Sequence, residues 1–212
     1  MTLSVASGMS PKLLAKMAAY VDRFSVMTYD FSVQLGRRTW LRLLCLCRGA
    51  APTHSLALCL AWALCMHDTA GPNAPLPWLE STLEILSGGD AALKKKILLG
   101  IPFYGYAGLV WRGPCVHRVL IASAPCSYDN MDAVVGHTYI DLLEQYQPEI
   151  GYDEDSAEHY FRYTPEGGQT HVVFYPTLQS TSERLDLATR AGAAGVAIWE
   201  IGQGLDYFYD LL

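Results

Sequence analysis

The sequence predicts an α/β fold in which parallel strands alternate with helices and one antiparallel hairpin is inserted between them. Three short apolar runs are typical of buried strands, and helical apolar spacing precedes each of them. One later segment has the two-residue period and the turn residues of a hairpin. Strands that alternate with helices favour parallel βα units. The length of 212 residues and the hydrophobic fraction of 51% suit one domain with a substantial core.

The chain is predicted to start with a helix and a strand. Apolar residues recur at helical intervals over residues 12–21, and Ser10 and Pro11 stand where an N-cap and a first-turn proline belong. Residues 24–29 are typical of a short buried strand, which ends at Asp30.

A second helix and strand follow after position 76. Residues 77–86 have the spacing of an amphipathic helix, and Gly88 and Gly89 interrupt it. The apolar run at 96–104 then predicts a strand buried on both faces.

The last third of the chain adds the hairpin and a third βα unit. Residues 134–146 have a helical pattern, after which the apolar period changes to two. The hairpin is predicted from two strands around a Pro-Glu-Gly-Gly turn, at 159–163, 165–168 and 171–175. Thr181 or Ser182 is expected to cap a helix that runs to Arg190, and residues 195–201 predict the final buried strand.

Charge and hydropathy exclude several classes of partner. The chain has 15 Lys and Arg against 21 Asp and Glu, a net charge of −6, and no basic run that would attract nucleic acid or an anionic membrane surface. The longest uncharged apolar run, 55–66, is shorter than the ~20 residues of a membrane span. Residues 1–10 lack the charged-then-apolar order of a secretory signal. We therefore expect no nucleic-acid partner, no membrane span and no export signal within this sequence.

Two stretches, 33–67 and 107–127, differ in composition from the rest of the chain. They contain six arginines but no Lys, Asp or Glu, and they hold all six cysteines: Cys45, Cys47, Cys59, Cys65, Cys115 and Cys126. A disulfide framework, a membrane span and sequence never selected to fold are three possible explanations. The composition resembles translated GC-rich non-coding DNA, and both stretches begin near valines, whose codons start with the splice-donor GT. We interpret them as non-native, intron-derived inserts.

Several common catalytic and cofactor motifs are absent from the sequence. The six histidines never fall at metal-ligand spacing, and neither G-x-x-x-x-G-K-[ST] nor G-x-G-x-x-G is present. The hydrolase motif G-x-S-x-G is also missing. We expect no metal and no cofactor.

Polar and aromatic residues follow the three predicted parallel strands. They are Tyr29 with Asp30, Tyr104, and Trp199 with Glu200. In a parallel barrel the carboxyl ends of strands face the ligand. Flat rings stack on pyranose faces, and a phenol with a carboxylate hydrogen-bonds an amide or hydroxyl. The alternative is that these aromatic residues are ordinary core residues.

Three strand motifs resemble those of glycoside hydrolase family 18, the chitinases and chitinase-like lectins. The sequences MTYD at 27–30, GIPFYG at 100–105 and GVAIWE at 195–200 are similar, in this order, to the sixth, seventh and eighth barrel-strand motifs of the family. The resemblance implies that residues 1–212 form a partial family 18 domain. Its fold would be the C-terminal part of a (β/α)8 TIM barrel, strands six to eight, with a small antiparallel hairpin insertion.

The resemblance also implies a carbohydrate site and a location. Tyr29 and Asp30 would contact the N-acetyl group of a sugar, Tyr104 would line the cleft, and Trp199 would form its floor. Met27 and Glu200 complete the implied substrate-binding set. The ligand would be an N-acetylglucosamine-containing oligosaccharide and the location secreted or lysosomal, while protein partners stay unknown.

The family's catalytic motif D-x-x-D-x-D-x-E is absent from this sequence, so no catalytic residue is assigned. In the family, the glutamate of that motif protonates the leaving group while the substrate's own acetamide attacks. The first hypothesis is therefore a chitooligosaccharide-binding protein. The alternatives are a poorly folding isoform without a ligand and, third, an active glycosidase. A (β/α)8 barrel usually needs ~250 residues, which also argues for a partial domain.

Overall fold

The computed structural model describes residues 2–4, 9–34, 71–109 and 131–212. Nine strands are defined within these ranges: β1 Thr2–Ser4, β2 Phe24–Met27, β3 Ile97–Pro102, β4 Gly105–Leu109, β5 Met131–Val134, β6 Ile150–Asp153, β7 Glu158–Tyr163, β8 His171–Tyr175 and β9 Gly195–Trp199. The α-helices of the same ranges are α1 Pro11–Met17, α2 Phe31–Gln34, α3 Leu76–Ser87, α4 Ala91–Lys94, α5 Gly136–Tyr146 and α6 Leu178–Arg190. A 3-10 helix at Asp206–Leu211 follows β9.

One sheet is parallel and has the strand order β1-β2-β3-β9. It contains the three strands that the sequence predicts, in adjacent positions, and the hydroxyl of Thr28 donates to the Gly100 carbonyl at 2.8 Å to join β2 and β3. The short strand β1 pairs with β2 and was not predicted, because three residues are too few for an apolar period. The parallel βα prediction is therefore confirmed, with one strand more than expected.

Local signals set most helix boundaries. The Ser10 hydroxyl accepts a hydrogen bond from the Leu13 amide, as predicted for the N-cap of α1, and α3 ends at Gly88 in the left-handed conformation (φ 60°). The cap predicted for the last helix is wrong. Thr177 caps α6 through a capping box with Ser180, whereas Thr181 is buried inside the helix.

The second sheet is antiparallel and has five strands in the order β5-β4-β8-β7-β6. The predicted hairpin is confirmed as β7 and β8, with Tyr163 opposite His171. The insertion is larger than the hairpin alone, because it also contains β4, β5 and β6. These strands are only four or five residues long, too short for a clear apolar period, and β4 pairs with the distant strands β5 and β8. Val134 lies in β5 rather than in the helix predicted at 134–146, which begins at Gly136.

The two sheets meet directly after β3. This strand ends at Pro102 and β4 begins at Gly105, so Phe103 and Tyr104 are the whole connection between the parallel and the antiparallel sheet. The main-chain amide of Phe103 donates to the Trp199 carbonyl at 2.8 Å, which brings the ends of β3 and β9 together. The residues that follow β2, β3 and β9 thereby lie at one edge of the parallel sheet.

The two proposed inserts lie almost entirely outside the described residues, as do all six cysteines. Residues 33–34 end α2, and residues 107–109 end β4, where Ala107 is buried and pairs with Asp132 and Val173. The non-native origin of the rest stays a prediction. Among the helices of the described ranges, none is long and apolar enough to cross a membrane.

Candidate functional site

Residues at the carboxyl ends of β2, β3 and β9 form one group around Asp30. The Tyr29 and Trp199 rings are stacked with centroids 6.3 Å apart and planes 27° apart, and Tyr29 meets Tyr104 edge-on at 6.3 Å. Tyr104 meets Tyr106, on β4, at 5.7 Å. We call these five residues the Asp30 cluster. The sequence-based expectation that Tyr29, Asp30, Tyr104 and Trp199 lie near one another agrees with this geometry.

The carboxylate of Asp30 is the polar centre of the cluster. Its Oδ1 atom accepts a hydrogen bond from the Tyr106 hydroxyl at 2.7 Å and another from the Tyr104 hydroxyl. Within the described part of the chain, no hydrogen bond reaches Oδ2. Asp30 also has a φ of 62°, a left-handed conformation that is uncommon for a residue with a side chain. Such conformations persist only where surrounding contacts hold them, and they concentrate at functional sites.

The tyrosines of the cluster remain protonated donors over the physiological pH range. Burial, together with the neighbouring Asp30 charge, raises the pKa of Tyr29 to about 12. Burial and hydrogen bonding to Asp30 also raise the pKa values of Tyr104 and Tyr106. The cluster therefore combines one carboxylate with neutral phenols, which is chemistry suited to binding hydroxyl and amide groups.

Trp199 presents the open aromatic surface of the cluster, since 49% of it is exposed while Tyr29 and Tyr104 are buried. Met27 is partly buried and packs against the apolar residues beside Tyr29. Glu200 is exposed, and its side chain forms no hydrogen bond with another described residue. The structure therefore packs Met27 against the apolar surroundings of the cluster and leaves Glu200 outside its hydrogen bonds.

Two further residues of this region, Tyr106 and Asn73, are not predicted by the sequence. Tyr106 follows Tyr104 at a spacing of two, but only the pairing of β4 with β8 orients it toward Asp30. Asn73 lies in the segment just before α3, where its side-chain oxygen accepts from the Asp30 amide at 2.7 Å and its side-chain nitrogen donates to the Tyr104 carbonyl at 2.9 Å.

A buried ion pair lies on the other side of Asn73. Glu158 accepts hydrogen bonds from the main-chain amides of Asn73 and Ala74 at 2.9 and 2.7 Å, and Arg184 contacts Glu158 at 3.0 Å. Burial raises the pKa of Glu158 against the opposing effect of Arg184, and burial lowers the pKa of Arg184. Both side chains are almost fully buried. Because Glu158 lies on β7 and Arg184 on α6, the pair connects these two elements to the segment that supports Asp30.

A small cavity adjoins the ion pair. Its volume is about 10 Å³, enough for one water molecule but not for a sugar. Its lining is Asn73, Pro102, Tyr104, Glu158, Pro176, Ser180, Thr181 and Arg184. Trp199 does not line this cavity. Among the described residues no group of three or more His, Cys, Asp or Glu side chains could hold a metal ion.

Several known proteins are similar to this chain. The sequence profile of "Glycosyl hydrolases family 18" matches residues 2–204. Di-N-acetylchitobiase of Mus musculus is 28% identical over 162 residues, which cover 71% of this chain and 41% of that protein. The chain spans between 28% and 41% of the length of the curated relatives it matches.

Solved structures show the same fold at lower identity. The spore cortex-lytic enzyme SleL of Bacillus megaterium QM B1551 is 18% identical with a TM-score of 0.64, over 100% of this chain and 40% of that one. A double mutant of a chitinase of Cycas revoluta, solved in complex with (GlcNAc)4, is 18% identical with a TM-score of 0.63, over 98% of this chain and 52% of that one. The mixed α/β architecture is therefore that of the TIM-barrel neighbours of this family.

Proposed function

We propose that this chain, which belongs to the glycosyl hydrolases family 18, binds chitooligosaccharides at the Asp30 cluster. The observation that carries the proposal is the juxtaposition of the half-exposed Trp199 ring with a carboxylate that accepts two phenol hydrogen bonds. The ring offers an apolar face for a pyranose, and Asp30 Oδ2 and the neutral phenols suit an acetamido group. The relative that was solved with (GlcNAc)4 supports this choice of ligand class.

We further infer that β2, β3 and β9 are the sixth, seventh and eighth strands of the family's (β/α)8 barrel. Their motifs occur in the family's order, and the three strands are neighbours in one parallel sheet. Beyond the family itself, the segments GPNAPLPW, HVVFYPTLQS and IWEIGQGLDYFYDLL resemble chitinase domain-containing protein 1. This likeness favours the chitinase-like lectin group, in which binding rather than hydrolysis is the expected activity.

Binding without hydrolysis is proposed for the chain of 212 residues. Protonation of the leaving group needs a positioned acid, and loss of a general acid typically costs ~10²–10⁴ in rate. The motif D-x-x-D-x-D-x-E that supplies it in the family is absent from the sequence. Asp30 acts as a hydrogen-bond acceptor, because its Oδ1 atom already accepts from two phenols. The same carboxylate is suited to accept a hydrogen bond from a polar group of the ligand.

Isothermal titration calorimetry with the N-acetylglucosamine tetramer tests binding. We expect saturable binding that Trp199→Ala weakens by about tenfold or more, because the variant loses the stacking face. Tyr20→Ala is the matched control, since Tyr20 is also an exposed aromatic residue (91%) but precedes β2 at its opposite end. Absence of binding by the folded chain, or equal weakening by both variants, would refute the assignment.

A chromogenic chitobioside tests hydrolysis separately. We expect no turnover by the purified chain. Sustained turnover that Trp199→Ala abolishes would show a proton donor at this site and would overturn the proposed absence of catalysis.

A further inference from the structure

We propose that Asn73 is a positioning residue for the carbohydrate site: its side-chain amide fixes Asp30 and Tyr104 relative to each other. This inference rests on the proposed binding function of the Asp30 cluster. Asn73 itself is only 2% exposed and would not touch a ligand on the open side at Trp199. Its effect on binding would be exerted entirely through the two residues that it holds.

The hydrogen bonds of Asn73 require an amide in one orientation. The Asp30 main-chain amide is a donor and needs the side-chain oxygen, which it meets at 2.7 Å. The Tyr104 carbonyl is an acceptor and needs the side-chain nitrogen, which it meets at 2.9 Å. Asp30 follows β2 and Tyr104 follows β3, so the Asn73 side chain connects the ends of two strands. Neither an aliphatic residue nor an ionised carboxylate supplies both an acceptor and a donor.

The Asn73 side chain holds the main chain of Asp30, whose left-handed conformation needs support from neighbouring contacts. The left-handed conformation of Asp30 points its carboxylate at the Tyr104 and Tyr106 hydroxyls, and the Asn73 oxygen holds the main-chain amide of that same residue. The main-chain carbonyl of Asn73 also accepts a hydrogen bond from the main-chain amide of Phe31, the residue after Asp30, at 2.9 Å. Without these contacts, Asp30 would relax toward an ordinary conformation and its carboxylate would leave the two phenols.

Asn73 is itself fixed from the far side. Glu158 accepts hydrogen bonds from the Asn73 and Ala74 amides, and Arg184 donates to Glu158 and to the Ala74 carbonyl. Glu158 belongs to the antiparallel sheet and Arg184 to α6, so Asn73 connects both of them to the ends of the parallel strands. The position of the Asp30 carboxylate thereby depends on the antiparallel sheet and on α6 through the single residue Asn73.

The test measures affinity for the N-acetylglucosamine tetramer by calorimetry in the full chain and three variants. Asn73→Ala removes both side-chain hydrogen bonds, and we expect the Kd to rise by about tenfold. Ser32→Ala is the matched control, because Ser32 donates to the Pro72 carbonyl at 2.8 Å and so anchors the same segment without touching Asp30 or Tyr104. We expect Ser32→Ala to lower the melting temperature but to leave the Kd within about twofold of the wild type.

Asn73→Asp supplies a readout that a merely structural role would not change. The groups that face the new carboxyl are Asp30, Glu158, Arg184 and the phenols of Tyr104 and Tyr106. Burial beside two carboxylates raises the pKa of the new carboxyl above its ordinary ~3.9. Protonated, it has one acceptor and one donor, as Asn73 has. Ionised, it cannot donate to Tyr104. Relative to the wild type at the same pH, we expect near-normal affinity at about pH 5 and a loss of about tenfold at about pH 8.

The outcomes separate the two proposals. Failure of the wild-type chain to bind the tetramer would overturn the proposed function and this inference with it. Binding by the wild type with an unchanged Kd in Asn73→Ala, or an equal loss in Ser32→Ala, would overturn the inference alone. If circular dichroism shows that Asn73→Ala is unfolded, the positioning role is tested with Asn73→Asp instead. The measured quantity is then the ratio of the Asn73→Asp affinity to the wild-type affinity, compared between the two pH values. A ratio independent of pH would then refute the positioning role.

Discussion

Replacing Arg184 by methionine should destabilise this protein more than any change to an exposed charge. Arg184 is 3% exposed, and its guanidinium contacts the Glu158 carboxylate at 3.0 Å. It also donates to the carbonyls of Ala157, Ser180, Ala74 and Ser156, at 3.0, 2.7, 2.5 and 3.4 Å. Methionine fills a similar volume but leaves these acceptors and a buried carboxylate without their partner.

The size of the loss follows from that burial. Removing one member of a buried ion pair typically costs ~3–5 kcal/mol, because the remaining charge is uncompensated. A stability of ~5–15 kcal/mol is usual for a domain, so a large share would be lost. At ~2–4 °C per kcal/mol for a chain of this length, the melting temperature should fall by roughly 6–20 °C.

The loss should also depend on pH. Burial raises the pKa of Glu158 even with Arg184 present, and removal of the cation would raise it further. A carboxyl whose folded pKa exceeds its ordinary value of 4.5 stabilises the folded state at low pH, and this contribution disappears as the pH rises through the folded pKa. The deficit of Arg184→Met should therefore be smaller at about pH 5 than at about pH 8.

Urea unfolding followed by circular dichroism measures these free energies. Arg190→Met is the control, since Arg190 lies on the same helix but is exposed, and it should cost less than ~1 kcal/mol. The double variant Glu158→Gln with Arg184→Met should recover part of the loss, because no charge remains buried. A loss from Arg184→Met no greater than that from Arg190→Met, or one that does not change with pH, would refute this account of the ion pair.

Two further changes test the packing and the ionisation of Tyr29. Gly100→Ala would place a methyl carbon 2.5 Å from the Val26 carbonyl and 2.9 Å from the Tyr29 ring, so we expect ~1–3 kcal/mol lower stability in urea unfolding and weaker tetramer binding. Gly167→Ala, at a turn with open space but a φ of 66° that strains alanine, should cost stability yet leave binding unchanged. In a near-ultraviolet alkaline titration, Tyr29→Phe should remove one phenol ionisation with a midpoint near pH 12, since the Tyr29 pKa is about 12. Loss of a transition near the ordinary value of 10 instead would contradict the burial of this phenol.

Local sequence determined the elements and the strand ends that carry the aromatic residues. Ser10 begins α1, Gly88 ends α3, and the Pro-Glu-Gly-Gly turn lies between β7 and β8, because caps and turns depend on residues only a few positions apart. The prediction that Asp30 and Trp199 share one edge required only that both follow parallel strands of a single sheet. The sugar-binding roles of these residues stay a prediction.

Tertiary structure alone decided how the polar groups of the site are connected. Asn73 lies 43 positions beyond Asp30, and Glu158 and Arg184 lie a further 85 and 110 positions beyond the segment they hold. Tyr106 is directed at Asp30 by strand pairings across the antiparallel sheet. No periodicity encodes such contacts. A hydrogen bond depends on the distance between two atoms in space, and this distance is set only when separate elements pack together.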